Sequence, residues 1–176
     1  MKKENNPILS IVGEVINNEI DCWIAKYPSD QKRSAIVPVL LFLQKQNGGW
    51  LSEVLMNAAS DYLQLPKIWI YEVVTFYDMF NLKPIGKHKI GICQNLSCFL
   101  RGSDIIASCI KKRLSIDFDE TTPDGLFTLK SVECLAACGG APVCQVNDRE
   151  YHENLTPEKI LLIIETLKNE SKINTA

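Results

Sequence analysis

Apolar residues recur at helical spacing through the first half of the chain. Ile8, Val12, Val15, Ile16, Ile20, Trp23, Ile24 and Tyr27 fall on one stripe at three- and four-residue steps, which predicts an amphipathic helix. The turn-forming run Tyr27-Pro28-Ser29-Asp30 ends it. A second helix is expected from about Ser34 to Gln46, with Pro38 in its opening turn and Asn47-Gly48-Gly49 as its stop. Ser52 is placed to cap a third, which carries Val54, Leu55, Ala58, Ala59, Tyr62 and Leu63. Pro66 suits the start of a fourth, with Ile68, Tyr71, Val74 and Thr75 on its apolar side. Short connections between four short helices predict a small bundle.

The texture changes across TFYDMFNLKPIGKH, where Pro84 and Gly86 mark a linker. Beyond it the pattern is mixed. HKIGIC reads as a strand, and 99–114 as a helix burying Ile105, Ile106, Cys109 and Ile110, with Ser97 and Ser103 both eligible as its cap. A Pro123-Asp124-Gly125 turn leads into FTLKSVEC, a second strand; VCQVND and REYH read as a hairpin. Thr156-Pro157-Glu158 opens a last helix with Ile160, Ile163, Ile164 and Leu167 on one face. The expectation is an α+β chain of two domains, a helical bundle over 1–83 and an α/β domain over 84–176.

Composition narrows the function classes. Apolar residues make up 46% of the 176, enough for two cores, and 19 basic against 21 acidic side chains leave a net charge of −2. With no basic run to follow a phosphate backbone, nucleic acid is not an expected partner. The longest apolar runs, IVPVLLFL and ILLII, are too short to span a bilayer, and the polar start MKKENNP has no signal core. A cytoplasmic protein of a prokaryote is expected.

Cysteine is distributed unevenly: Cys22 stands alone, while Cys93, Cys98, Cys109, Cys134, Cys138 and Cys144 crowd into the second half. In a reducing compartment such thiols point to metal or redox chemistry rather than to disulfides. Cys93 and Cys98 are spaced C-x4-C and Cys134 and Cys138 C-x3-C, each pair at the end of an expected strand, so both loops can meet at one end of a sheet. Four thiolates there could hold zinc or an iron–sulfur cluster. Zinc knuckles favour tighter C-x2-C pairs, whereas looser pairs suit a [2Fe–2S] rhomb, one pair to each iron. A Rieske centre is excluded, because His88 and His152 are not paired with cysteines as it requires. The amides of Gln94 to Ser97, Leu135 to Ala137 and Gly139 to Gly140 are the expected donors to the sulfurs. Cys109 and Cys144 read as core, with Cys144 a reserve ligand should Cys138 be lost; His88 and His152 read as solvated. Trp50, Trp69, Phe76 and Phe80 are expected in the core, or on a surface that a partner covers.

IGICQNLSCFLRG, TTPDGLFTLKSVECLAACGGAPVCQVND and YHENLTPEKI closely resemble the thioredoxin-like [2Fe–2S] ferredoxin subunit of respiratory complex I, the small subunit that partners the flavoprotein. The resemblance extends upstream through YPSDQKRSAIVPVLLFLQKQNGGWLS and VVTFYDMFNLKPIG, so it takes in nearly the whole chain. It implies a thioredoxin-like second domain and a [2Fe–2S] cluster on Cys93, Cys98, Cys134 and Cys138. It also implies a flavin- and NADH-binding partner subunit, further peripheral-arm subunits, and attachment to the membrane only through the complex. The family usually has glycine where Ala137 stands, an apolar residue at Cys144 and often glycine at Asp119.

The chain carries no G-x-G-x-x-G after a strand, and Asn81 stands where a phosphate loop needs its first glycine, so FMN and NADH are expected on the partner. Flavin accepts a hydride and releases its electrons singly to iron–sulfur centres. The resemblance implies that the cluster lies near that flavin, off the main path to quinone, as a one-electron reservoir. Two alternatives stay open: a diaphorase small subunit of an NAD-linked hydrogenase or formate dehydrogenase, and a zinc-stabilised assembly subunit without redox role. A dithiol oxidoreductase is disfavoured, since no C-x-x-C occurs.

Overall fold

The structure is a computed structural model and describes residues 14–173. The chain divides into two compact units, 1–84 and 85–176.

The first unit is helical. α1 (Glu14–Ile24), a 3-10 turn (Lys32–Ala35), α2 (Ile36–Gln46), α3 (Glu53–Leu63) and α4 (Lys67–Phe76) surround a core of Ile20, Ile36, Val39, Leu40, Leu43, Leu51, Ala59, Leu63, Ile70 and Val74. Ile8, Val12 and the side chains of Val15 and Ile16 lie outside the described residues; of the expected first stripe, Ile20 is buried and Trp23, Ile24 and Tyr27 pack against the core. Pro38 sits in the opening turn of α2, where its missing N–H is not needed. That helix stops at Asn47, followed by Gly48 and Gly49 with φ of 70° and 91°, a left-handed exit that glycine makes without steric cost. Ser52 caps α3 by accepting the Leu55 amide at 3.2 Å.

Two expected faces turn out rotated. Val54 and Ile68 are 60% and 61% exposed, while Met56 and Ile70 are buried in their place. Each helix presents apolar residues on more than one side, and packing against neighbours chose the side that closes the core. Phe80 is buried and Trp69 half-buried against that core, but Phe76 is 76% exposed.

The second unit carries a four-stranded sheet in the order β2-β1-β3-β4, built from β1 (His88–Cys93), β2 (Phe127–Val132), β3 (Cys144–Val146) and β4 (Glu150–His152). β1 and β2 are parallel, in register from His88↔Phe127 to Cys93↔Val132; β3 joins β1 antiparallel, and β4 joins β3 antiparallel. α5 (Leu96–Leu100) and α6 (Ser103–Leu114) make the crossover that a parallel pair requires, and α7 (Pro157–Ile173) follows the hairpin. The hairpin turns at Asn147 and Asp148, both at positive φ (53° and 57°), a conformation these two side chains tolerate.

Strand alternation decides what each face carries. Ile90, Ile92, Phe127, Leu129, Cys144 and Val146 meet Ile106, Ile110, Ile160, Ile164 and Leu167 of α6 and α7 in one core. Cys93 faces the other way, into a separate small cluster. The single helix expected over 99–114 is two helices, broken at Arg101 and at Gly102, whose φ is 90°. The second rotates Ile105 to 60% exposure and buries Ala107 beside Ile106 and Ile110.

Candidate metal centre

Because β1 and β2 are parallel and in register, both strands leave the sheet at the same end. Cys93 ends β1 opposite Val132, which ends β2, and the Gln94 amide closes the last rung to the Val132 carbonyl at 2.9 Å. Cys134 follows two residues later. Asn95 then caps α5 through its side chain, accepting the Leu96 amide at 2.8 Å, and that turn swings Cys98 back beneath Cys93. Neither Ser97 nor Ser103 is the cap: both lie inside helices, and Gly102 precedes α6.

Cys93 and Cys98 are 3% and 2% exposed, in a pocket with Ala141 and Val143 that Leu135 and Ala137 help to line. The Cys93 amide donates to the Val143 carbonyl at 3.1 Å, and the Cys93 thiol faces the Glu133 carbonyl at 3.8 Å. Burial, and then the hydrogen bond with the Cys93 thiol, push the Cys98 thiol up to about 11; the Val143 amide, donating to the Cys98 sulfur, acts the other way, and Cys138 adds a further upward push through its charge. Cys93 and Cys138 therefore both lie within electrostatic reach of Cys98. Cys134 and Cys138 are exposed. The Cys134 sulfur accepts the Ala136 amide at 3.3 Å, and Cys138 opens a 3-10 turn with Gly139 and Gly140. Among the described residues, no three His, Cys, Asp or Glu side chains are arranged as a single-ion site.

The donor set is chemically soft: four free thiols, one at the end of β1, one in α5 and two on the segment after β2, with backbone amides of Val143 and Ala136 aimed at two of the sulfurs. Such a set fits a thiolate-bound iron–sulfur cluster, whose negative charge needs amide donors of this kind. Of the expected donors, the Ala136 amide does serve a sulfur, but others are spent on oxygen. The amides of Gln94 and Gly140 serve the carbonyls of Val132 and Ala137, and that of Leu96 serves Asn95. Val143 was not among the expected donors, because its role depends on how β3 approaches β1, which no local spacing encodes.

The other cysteines and the histidines separate cleanly. Cys144 is fully buried, pairs with Ile92, and lies on the face opposite Cys93; burial pushes its thiol to about 12. It is core, and from that face it does not serve as a reserve for Cys138. Cys109 packs against the same core, and Cys22 is exposed. His88 is not solvated: it is 7% exposed, with Nε2 2.7 Å from the Ser171 hydroxyl. His152 is half-buried on β4. The position in the second loop that calls for glycine is Ala136, at φ 55°, and not Ala137, whose φ of −113° suits any L-residue. Asp119 does have left-handed backbone, at φ 64°.

Two cavities open elsewhere. One of about 310 Å³ in the second unit is lined by Arg113, Thr122, Asp124, Phe127, Ile164 and Lys168; another of about 490 Å³ in the first is lined by Arg33, Glu72, Val73, Thr75, Phe76 and Tyr77. None of the predicted cysteines lines either.

The family model described as thioredoxin-like [2Fe–2S] ferredoxin matches residues 20–168, which include both cysteine pairs. The chain is 50% identical over 147 residues to the E subunit of the NADH-quinone oxidoreductase of Rickettsia bellii (strain RML369-C), covering 84% of this chain and 87% of that one. It is 39% identical over 160 residues to the E 2 subunit of the NADH-quinone oxidoreductase of Rhizobium meliloti (strain 1021), covering 91% and 93%. Among solved structures, the NAD+-reducing [NiFe]-hydrogenase in the air-oxidized state is similar in fold, with a TM-score of 0.64 at 20% identity. That likeness covers 74% of this chain and 23% of the hydrogenase chain.

Proposed function

Because the chain belongs to the thioredoxin-like [2Fe–2S] ferredoxin family, we propose that it is the electron-transfer subunit of an NADH:quinone oxidoreductase, with Cys93, Cys98, Cys134 and Cys138 as ligands of one [2Fe–2S] cluster. The observation that carries this reading is the parallel register of β1 and β2, which delivers both cysteine loops to one end of the sheet. The cluster, when bound, accepts and releases one electron at a time.

What the chain contributes is the setting. The Val143 amide donates to the Cys98 sulfur and the Ala136 amide to the Cys134 sulfur, and amides so aimed favour added negative charge. Ala141, Val143, Leu135 and Ala137 keep water from the Cys93 and Cys98 side. NADH and FMN belong, on this reading, to a partner subunit that takes hydride on its flavin and passes electrons singly to this chain, which stores one beside the path to quinone. Other peripheral-arm subunits complete the complex at the cytoplasmic face of a prokaryotic inner membrane. Attachment to the membrane, on this reading, runs through the complex; no helix among the described residues is long and apolar enough to cross one. On this reading the helical bundle expected over 1–83 and the α/β domain expected over 84–176 act as separate domains. The identity to oxidoreductase subunits, at 50% and 39%, favours this reading over a hydrogenase diaphorase, for which likeness is limited to fold.

Anaerobically purified protein is expected to contain iron and acid-labile sulfide in equal amounts and to give an electron spin signal on reduction with dithionite. Zinc in their place would overturn the assignment. In the assembled complex, Cys134→Ser should spare NADH-to-quinone turnover; its loss with flavin and assembly intact would rule out the reservoir role.

A further inference from the structure

The four proposed ligands are unequal. Cys93 and Cys98 are 3% and 2% exposed, and the first is fixed by strand pairing to Val132 and by its amide bond to the Val143 carbonyl at 3.1 Å. Cys98 is held from behind by the Asn95-capped turn of α5. Cys134 and Cys138 are exposed, on a segment that follows β2 and belongs to no strand. The amide that Cys134 accepts comes from Ala136 in its own loop, and Leu135 and Ala137 of that loop pack over Cys93 and Cys98.

We propose that the site fills in a fixed order, with Cys134 and Cys138 as the entry pair that captures the cluster from a thiolate-ligated donor and Cys93 and Cys98 as the closing pair. The inference rests on the reading of these cysteines as cluster ligands. Its chemistry is ligand exchange. At each step an incoming cysteine sulfur bonds to iron, one donor thiolate leaves, and the cysteine proton passes to that thiolate; the iron keeps its oxidation state. Four such exchanges move the cluster, releasing four donor thiols.

Access imposes the order. The incoming sulfur must touch iron, and a cluster still wrapped in its donor's thiolates is too bulky to reach cysteines that are 2–3% exposed. The exposed pair meets no such barrier. Once Cys134 and Cys138 have made two bonds, the remaining two exchanges are intramolecular, and a high effective concentration carries the cluster past Leu135 and Ala137 to the buried pair. Cys93 and Cys98 then decide retention, since a donor's thiol would have to reach an iron held between two cysteines that are only 2–3% exposed to take the cluster back.

The test uses the full-length chain, reduced and free of cluster, mixed anaerobically with a [2Fe–2S] cluster ligated by glutathione, with capture followed by visible circular dichroism. Cys134→Ser and Cys138→Ser are expected to slow the bimolecular phase about tenfold or more, the effect of removing the accessible nucleophile. Cys93→Ser and Cys98→Ser should leave that phase within about twofold, yet yield a product that surrenders iron to a chelator faster than the unmodified chain does. A brief iodoacetamide pulse on the unmodified chain, read by peptide mass spectrometry, should label Cys134 and Cys138 before Cys93 and Cys98, independently of how any variant folds. Equal slowing in all four variants, the reverse ranking, or early labelling of the buried pair would overturn the order while leaving the cluster assignment standing. An unmodified chain that captures no cluster would overturn both.

Discussion

Ala136 holds a φ of 55° in the loop between Cys134 and Cys138. An L-residue there brings Cβ against the following carbonyl at a cost of about 1–2 kcal/mol, partly offset because glycine loses more entropy on folding. Ala136→Gly should therefore stabilise the chain by about 0.5–1 kcal/mol in a urea titration; a loss of stability would show that the methyl group packs rather than strains. His88 makes a second residue-level case. Burial lowers its pKa from the ordinary 6.5, the Lys87 charge lowers it further, and Glu170 opposes them. Its Nδ1 has no partner among the described residues, and its Nε2 meets Ser171. A folded-state pKa below the unfolded value means that the unfolded chain binds its proton first as pH falls. The stability His88 confers is then complete above about 6.5 and is lost as the solution is acidified through the lowered value. Denaturation at pH 7.5 and at pH 5 should show a smaller acid-side loss in His88→Gln than in the unmodified chain; equal losses would place the titration elsewhere.

At the scale of elements, two glycines hold the sheet together by what they lack. A Cβ on Gly86 would stand 2.8 Å from the Phe127 carbonyl carbon and 2.9 Å from that of Leu126, both backbone atoms that cannot step aside without dislodging β2. A Cβ on Gly91 would meet a Val132 methyl at 2.9 Å, which a rotamer change can clear, and the Gln145 carbonyl only at 3.8 Å. Gly86→Ala is thus expected to cost about 3 kcal/mol and Gly91→Ala about 1, both read from denaturation midpoints; a reversed ranking would mean that Val132 is the less yielding neighbour. Neither approach is visible in the sequence, where Gly86 reads only as linker punctuation. Local signals were legible where one residue's chemistry decides the outcome: the Ser52 cap, Pro38 in an opening turn, the Asn47-Gly48-Gly49 stop, and the strand ending at Cys93, whereas the second strand ends at Val132, two residues short of the expected Cys134. They failed where neighbours choose, as with Ile70 in place of Ile68 and the break at Gly102, whose left-handed backbone ends one helix and begins another. The candidate site divides the same way. Its four thiols stand out by spacing, whereas the Val143 donor and the unequal burial of the two pairs arise only when β3 closes on β1.

For the whole molecule, the decisive fact is that the described residues build two large separate cores, besides the small cluster around Cys93 and Cys98. The buried set of the first unit, from Ile20 to Phe80, and that around the sheet, from Ile90 to Leu167, have no member in common. The proposed ligands all belong to the second unit, and Ile92 links its core to the site directly: it is buried among α6 and α7 while its neighbour Cys93 projects from the opposite face. Loss of core packing under Ile92 should loosen the strand end that presents Cys93, whereas loss under Leu40 should weaken only the helical unit. Each truncation to alanine removes a fully buried side chain and is expected to cost about 2–5 kcal/mol. Thermal melts of the cluster-loaded chain separate the two effects. Leu40→Ala should lower the temperature at which helical circular dichroism is lost and leave the visible chromophore's transition in place, while Ile92→Ala should bring the chromophore's loss to lower temperature. If Leu40→Ala displaces the chromophore's transition as far as Ile92→Ala does, the two cores unfold as one cooperative body, and the helical unit is part of what holds the metal centre closed.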